Sequence, residues 1–94
     1  MREMLPLKDP RVGILKAMAH PVRLGLVETL ASRRLRVGEL AGLFPVDRTT
    51  ISKHIAILRE AGILETVREG REIYYRLAMP CLSDLLGCLG RMAR

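Results

Sequence analysis

Residues 37–62 read VGELAGLFPVDRTTISKHIAILREAG, and the fold turns on them. Two short amphipathic runs flank Phe44-Pro45-Val46. A proline disfavours helical geometry in the residue before it, so the first run is predicted as a helix over Gly38–Leu43 that stops at this turn. Leu40 and Leu43 are its expected inward residues. Asp47 has the side chain a helix N-cap needs, an oxygen that can accept from the first free amides. Beyond it, Ile51, Ile55 and Leu58 recur at the spacing of one helical face. This second helix is predicted to end near Ala61, with Gly62 in the left-handed conformation that closes many helices. A short helix, a turn and a longer helix with a polar start form a helix-turn-helix unit.

Upstream, Asp9-Pro10 opens a helix over Arg11–Ala19, with Val12, Leu15, Met18 and Ala19 at helical spacing. Pro21 fits the first turn of another helix that runs to about Ser32, with Leu24, Val27, Leu30 and Ala31 predicted to face inward. The basic stretch SRRLR, residues 32–36, reads as extended. Downstream, ILETVREGREIYYRL (63–77) reads as two strands around Glu69-Gly70, because β-branched and aromatic residues flank the glycine. Of Tyr74 and Tyr75, adjacent on a strand, at least one is expected in the core. Residues 80–94 return to helix. The predicted class is mainly α with a small β-hairpin (α+β), a winged helix-turn-helix. It forms a single domain over 1–94, with a recognition helix at about 47–61, a wing at about 63–77 and a C-terminal helix at about 80–94.

The totals agree with this architecture. Of the 94 residues, 49% are hydrophobic and only 3% aromatic, so Leu, Ile, Val, Ala and Met must fill a modest core, which favours helices over a β-sandwich. No stretch is apolar for the roughly 18 residues a membrane span needs, and MREMLPLKDP lacks an apolar signal core. A cytoplasmic location follows as an expectation, with both cysteines reduced.

A formal net charge of +6 points to a polyanionic partner. The polar start of the second helix of the unit presents Arg48, Thr49, Thr50, Ser52, Lys53 and His54. Guanidinium and ammonium groups suit guanine edges, and hydroxyls suit phosphates or bases in a major groove. The helix N-terminus adds amide donors and the positive end of a dipole. Arg68 and Arg71 flank the hairpin tip, where a wing can reach a phosphate or the minor groove. Isolated surface cations are usually only solvated; their conjunction with the helix-turn-helix spacing is what favours DNA. His54, between Ile51 and Ile55, is read as orienting the helix or contacting backbone rather than binding a metal. A protein-interaction module would place apolar residues on the Arg48–Lys53 face. An RNA binder would offer more aromatics than two Tyr and one Phe. An enzyme is not expected: there is no nucleophile elbow, no phosphate loop and no acid pair near a histidine.

LKAMAHPVRLGLVETL (15–30), VGELAGLF (37–44) and TTISKHIAILREAGILETVREGREIYYRL (49–77) together resemble the ArsR-type family of bacterial transcriptional repressors. The specific elements are His20-Pro21-x-Arg23, Ser52-x-His54-Ile55, Arg59-Glu60-Ala61-Gly62 and the terminal Tyr-Tyr-Arg-Leu of the hairpin. The resemblance implies a homodimer built through the N- and C-terminal helices. It also implies binding to double-stranded DNA at an inverted-repeat operator, and release by an inducer. Metal-sensing members often carry Cys-x-Cys at the entry to the short helix. Here those positions hold Arg36 and Gly38. Others use Asp and His on the terminal helix, but no histidine follows His54.

Cys81 and Cys88 remain as metal or redox candidates. Seven helical residues rise about 10.5 Å, so the two thiols share a face but are too far apart for one helix to join them. Antiparallel pairing of the terminal helices about Asp84 and Leu85 would set Cys81 of one chain against Cys88 of the other. Cys81, Leu85, Cys88 and Met92 form one stripe; Leu82, Leu86, Leu89 and Ala93 form the next, available to the protomer's own core. Such thiol pairs suit a thiophilic inducer, arsenite or a soft metal ion, with Asp84 or water completing the shell. They equally suit a disulfide formed under oxidant or reactive sulfur. Cys81 lies near the helix start, where the dipole favours thiolate. The plain alternative is that both are small buried hydrophobes at an interface.

Overall fold

A computed structural model describes residues 9–93. Five helices and one hairpin follow in the order α1 (Pro10–Met18), α2 (Pro21–Ser32), α3 (Val37–Ala41), α4 (Arg48–Glu60), β1 (Leu64–Glu69), β2 (Glu72–Leu77) and α5 (Cys81–Met92). The mainly α winged helix-turn-helix is the fold observed.

Local chemistry explains the helix boundaries. Asp9 caps α1 by accepting from the Arg11 amide, and Pro10 fills a first-turn position where no amide is needed. The imidazole of His20 performs the same service for α2, accepting from the Val22 amide, with Pro21 following. Asp47 caps α4 by accepting from Thr50 N–H at 2.7 Å. At the far end Gly62 takes φ +79°, the left-handed conformation that turns the chain out of α4 into β1.

The hairpin pairs Leu64 with Leu77 through to Glu69 with Glu72, so its two-residue turn is Gly70-Arg71, with Gly70 at φ +62°. The reversal expected around Glu69-Gly70 thus falls one residue later. Positive φ is needed at the first central position, and only the glycine meets it cheaply. A third, single-residue bridge joins Leu35 to Tyr75, with backbone N–H···O distances of 3.1 and 2.8 Å. Tyr75 packs half-buried against the core while Leu35 is buried.

The core gathers Ala17 and Met18 of α1, Leu26, Val27 and Leu30 of α2, Leu40 of α3, Ile51, Ile55 and Leu58 of α4, Ile63, Leu64, and Leu82 and Leu86 of α5. Several expectations for the apolar faces are corrected here. In α1 the inward face is Ile14, Ala17 and Met18, whereas Val12 and Leu15 are exposed. In α2 Leu26 is fully buried, and Ala31 faces solvent. Leu43 follows the end of α3 and is 54% exposed; Phe44 takes its place against the core, its ring seated on Gly25. A Cβ at Gly25 would meet Phe44 Cε1 at 2.6 Å, so this close approach requires glycine. Leu89 is 53% exposed rather than part of the protomer's core.

These contrasts carry a stability prediction. Leu40→Ala and Leu58→Ala should each cost about 2–5 kcal/mol by cavity formation, whereas Leu43→Ala should stay within about 0.5 kcal/mol. Urea titrations of the three variants check this. Equal losses at positions 40 and 43 would contradict the packing described.

Candidate nucleic-acid interface

With Ile51, Ile55 and Leu58 buried, the opposite side of α4 must face solvent. Arg48, Thr49, Ser52 and Lys53 are exposed there, and Thr50 is half-buried at the capped start. The Thr50 amide and hydroxyl, and then the Lys53 charge, hold the Asp47 carboxyl below its ordinary value. It therefore stays an ionised acceptor, and the cap remains closed at neutral pH. Arg48 and Lys53 have no carboxylate partner among the described residues, nor do Arg68 and Arg71 of the wing. Four cations at the start of α4 and on the outer wing are thus outside any ion pair. A cleft of about 440 Å³ lies between α3, the start of α4 and the wing; Arg36, Arg48, Arg71 and Glu72 are among its walls.

His54 departs from this group. It is half-buried, its Nδ1 lies 3.2 Å from Arg23 Nη1, and its ring lies 4.4 Å from that of His20, centroid to centroid. A guanidinium can only donate, so Nδ1 of His54 accepts and the proton sits on Nε2. Arg23 Nε in turn donates to the Ala17 carbonyl at 2.6 Å. These contacts tie α4 to the end of α1 and the start of α2. Arg23 was the unforeseen member; the His-Pro-x-Arg spacing was its signal.

Cys81 and Cys88 are exposed, free thiols on the outer stripe of α5 with Leu85 and Met92. They are remote in chain and element from the α4 face. No group of three His, Cys, Asp or Glu side chains that could hold a metal ion occurs among the described residues. No helix among the described residues is long and apolar enough to cross a membrane.

A capped helix with a free polar face, set beside a two-stranded wing that exposes Arg68 and Arg71, defines the winged helix-turn-helix class of DNA-binding domains. The comparisons agree. The family described as "Helix-turn-helix domain" matches residues 18–67. The chain is 48% identical over 76 residues to the biofilm growth-associated repressor of Agrobacterium fabrum, covering 81% of this chain and 65% of that one. The crystal structure of the transcriptional repressor BigR from Xylella fastidiosa superposes with a TM-score of 0.79 at 37% identity, over 89% of this chain and 86% of that one. The homodimeric winged helix-turn-helix DNA-binding domain Mb0332 from Mycobacterium bovis, a possible ArsR-family regulator, does so with a TM-score of 0.78 at 28% identity, over 89% and 78%. The chain belongs to the ArsR-type family of winged helix-turn-helix transcriptional regulators.

The histidine contacts generate a prediction. Burial, then the charges of His20 and Arg23, pull the His54 pKa down from its ordinary 6.5. The unfolded chain therefore binds more protons near that pH, and stability rises with pH. The contribution is complete above about 6.5 and is lost as the pH falls through the lower folded value. Urea midpoints between pH 7.5 and 5 should fall more steeply for the wild type than for His54→Gln. Parallel slopes would remove His54 from the pH dependence.

Proposed function

We propose that this chain is a homodimeric, sequence-specific DNA-binding repressor, not an enzyme, that holds an inverted-repeat operator through α4 and the wing. One observation carries the reading: the exposed Arg48, Thr49, Ser52 and Lys53 at the capped start of α4, with neither cation in an ion pair among the described residues. A helix so presented enters a major groove with its N-terminal side chains on base edges, while Arg68 and Arg71 meet phosphates alongside. An interaction module would need apolar side chains on this face.

Dimerisation is supported by a second surface. Val12 and Leu15 of α1, and Leu85, Leu89 and Met92 of α5, are large, apolar and exposed on the protomer. Two-fold pairing of these helices would cover them and set two copies of α4 to read the two halves of an operator. The same α5 stripe carries Cys81 and Cys88, so a thiol response is proposed at that interface. Arsenite or a soft ion bridging thiolates across subunits is one chemistry. The other is an interchain disulfide, in which two thiols lose two hydrogens and an oxidant takes up the two electrons. Either favours release only by its differential affinity for the DNA-incompetent dimer.

Lys53→Ala and Arg71→Ala should each weaken operator binding and reduce the dependence of log K on log salt by about one. Fluorescence anisotropy of a labelled duplex at several salt concentrations tests both, and unchanged curves would take these residues out of the interface. Cys81→Ser and Cys88→Ser should bind DNA normally but lose any response to arsenite or oxidant. Native mass spectrometry separates the outcomes: added arsenic, loss of hydrogens in a covalent dimer, or an unreactive dimer that would leave the cysteines to packing.

A further inference from the structure

The wing tip carries two carboxylates beside the cations it offers to DNA. Glu69 and Glu72 face each other as the last register pair of the hairpin, with Gly70-Arg71 between them. Like charges directly opposite on paired strands repel, and both acids would also repel phosphate next to Arg68 and Arg71. Each is instead engaged by an arginine of the linker between α2 and α3. Arg34 donates to Glu69 Oε1 and lies over the Tyr74 ring, 4.3 Å from its centroid. Arg36 Nη1 donates to Glu72 Oε1 at 3.2 Å, while its Nε donates to Glu39 Oε1, also at 3.2 Å, in the first turn of α3.

The spacing makes this arrangement possible. Leu35 forms the bridge to Tyr75 and buries its side chain. In an extended segment the residues on either side of it point the opposite way, so Arg34 and Arg36 share the face turned to the wing. Residues 68–73 are all exposed, and none of them joins the core. The outer hairpin therefore adds nothing to the buried core that would set its angle, and a two-stranded hairpin alone is marginally stable.

We propose that Arg34 and Arg36, acting through Glu69 and Glu72, are positioning residues that hold the outer wing at a fixed distance from α4, so that Arg68 and Arg71 reach the DNA phosphates while α4 occupies the groove. The inference rests on the DNA-binding reading above and adds residues that need touch no DNA. Exposed ion pairs contribute little to global stability, so their effect belongs in binding rather than in the melting temperature.

Charge and position predict opposite signs for one substitution. Glu72→Gln removes a negative charge from a protein that binds a polyanion, so charge alone tightens binding. Loss of the tether weakens it. With a duplex selected by the wild-type protein from a random-sequence pool, Glu69→Gln/Glu72→Gln should bind about fivefold more weakly at an unchanged Tm. In an Arg36→Gln background, where the partner of Glu72 is already gone, Glu72→Gln should no longer weaken binding and should tighten it. Amide exchange over residues 68–73 should be faster in the double variant. Equal or tighter binding by the double variant overturns the inference while leaving DNA binding intact. Weaker binding accompanied by a lowered Tm also overturns it, since a general structural loss would then suffice. A wild-type protein that selects no duplex overturns both readings.

Discussion

The rotation of α4 about its own axis is set by three side chains, Ile51, Ile55 and Leu58, each nearly or fully removed from solvent. Their partners are already in place: Leu26 and Val27 from α2 and Leu40 from α3 belong to the same core. Successive residues of a helix advance about 100°, so burying this stripe leaves Thr49, Ser52 and Lys53 no choice but the outer face. A slip in rotation would expose isoleucine and bury lysine, at a cost of several kcal/mol for the apolar area alone and more for the charge. The specificity of the outer face is thus a consequence of the inner one. Asp47 and Gly62 add the two ends, fixing where along its axis the helix begins and stops.

The linker of residues 33–36 has a comparable role for the wing. Its one buried residue, Leu35, ties it to the core and to Tyr75, while its arginines face the hairpin. One short extended segment therefore serves apolar packing on one side and charge pairing on the other, by strand alternation alone. The Glu39 carboxyl is held below its ordinary value chiefly by the Arg36 amide, then by the Arg36 side chain. The wing is linked in this way to the helix that precedes the turn, not only to the strand beside it.

What was legible in the sequence was what local chemistry decides. The Asp47 cap, the left-handed Gly62, the proline-closed turn and the two strands each depend on a few neighbouring residues. Burial depends on partners instead. Leu43 and Leu89 sit at plausible helical positions, yet each is exposed, because Phe44 takes the space beside Gly25 and α5 packs only Leu82 and Leu86 into the core. The hairpin reversal was displaced by one residue because both Glu69-Gly70 and Gly70-Arg71 read as turns until the register of Leu64 against Leu77 is known. The ion pairs from Arg34 to Glu69 and from Arg36 to Glu72 span 35 and 36 positions. No periodicity announces such pairs, since each needs the fold before its partner can be named. The guanidinium partner of His54 could be named only once α2 was seen packed on α4.

The exposed side chains differ in chemistry from element to element: Arg48 and Lys53 on α4 and Arg68 and Arg71 on the wing, but apolar groups on α1 and apolar groups with two thiols on α5. Within one protomer, packed side chains join α5 to α4 and the hairpin. Helix α2 is the element in contact with α1, α4, β2 and α5. Leu82 and Leu86 meet the same core as Leu26, Val27 and Leu30, and that core continues to Ile51 and Ile55. Close-packed interiors shift as discrete arrangements rather than by smooth deformation, so a change in how α5 pairs with a second copy would reach α4 as a displacement of α2. The Arg23–His54 contact and the Arg23–Ala17 contact lie on that route, joining α1, α2 and α4 through one guanidinium. Coupling between the two surfaces is then a matter of how α2 is held, and Arg23 is the polar group that holds it on both sides.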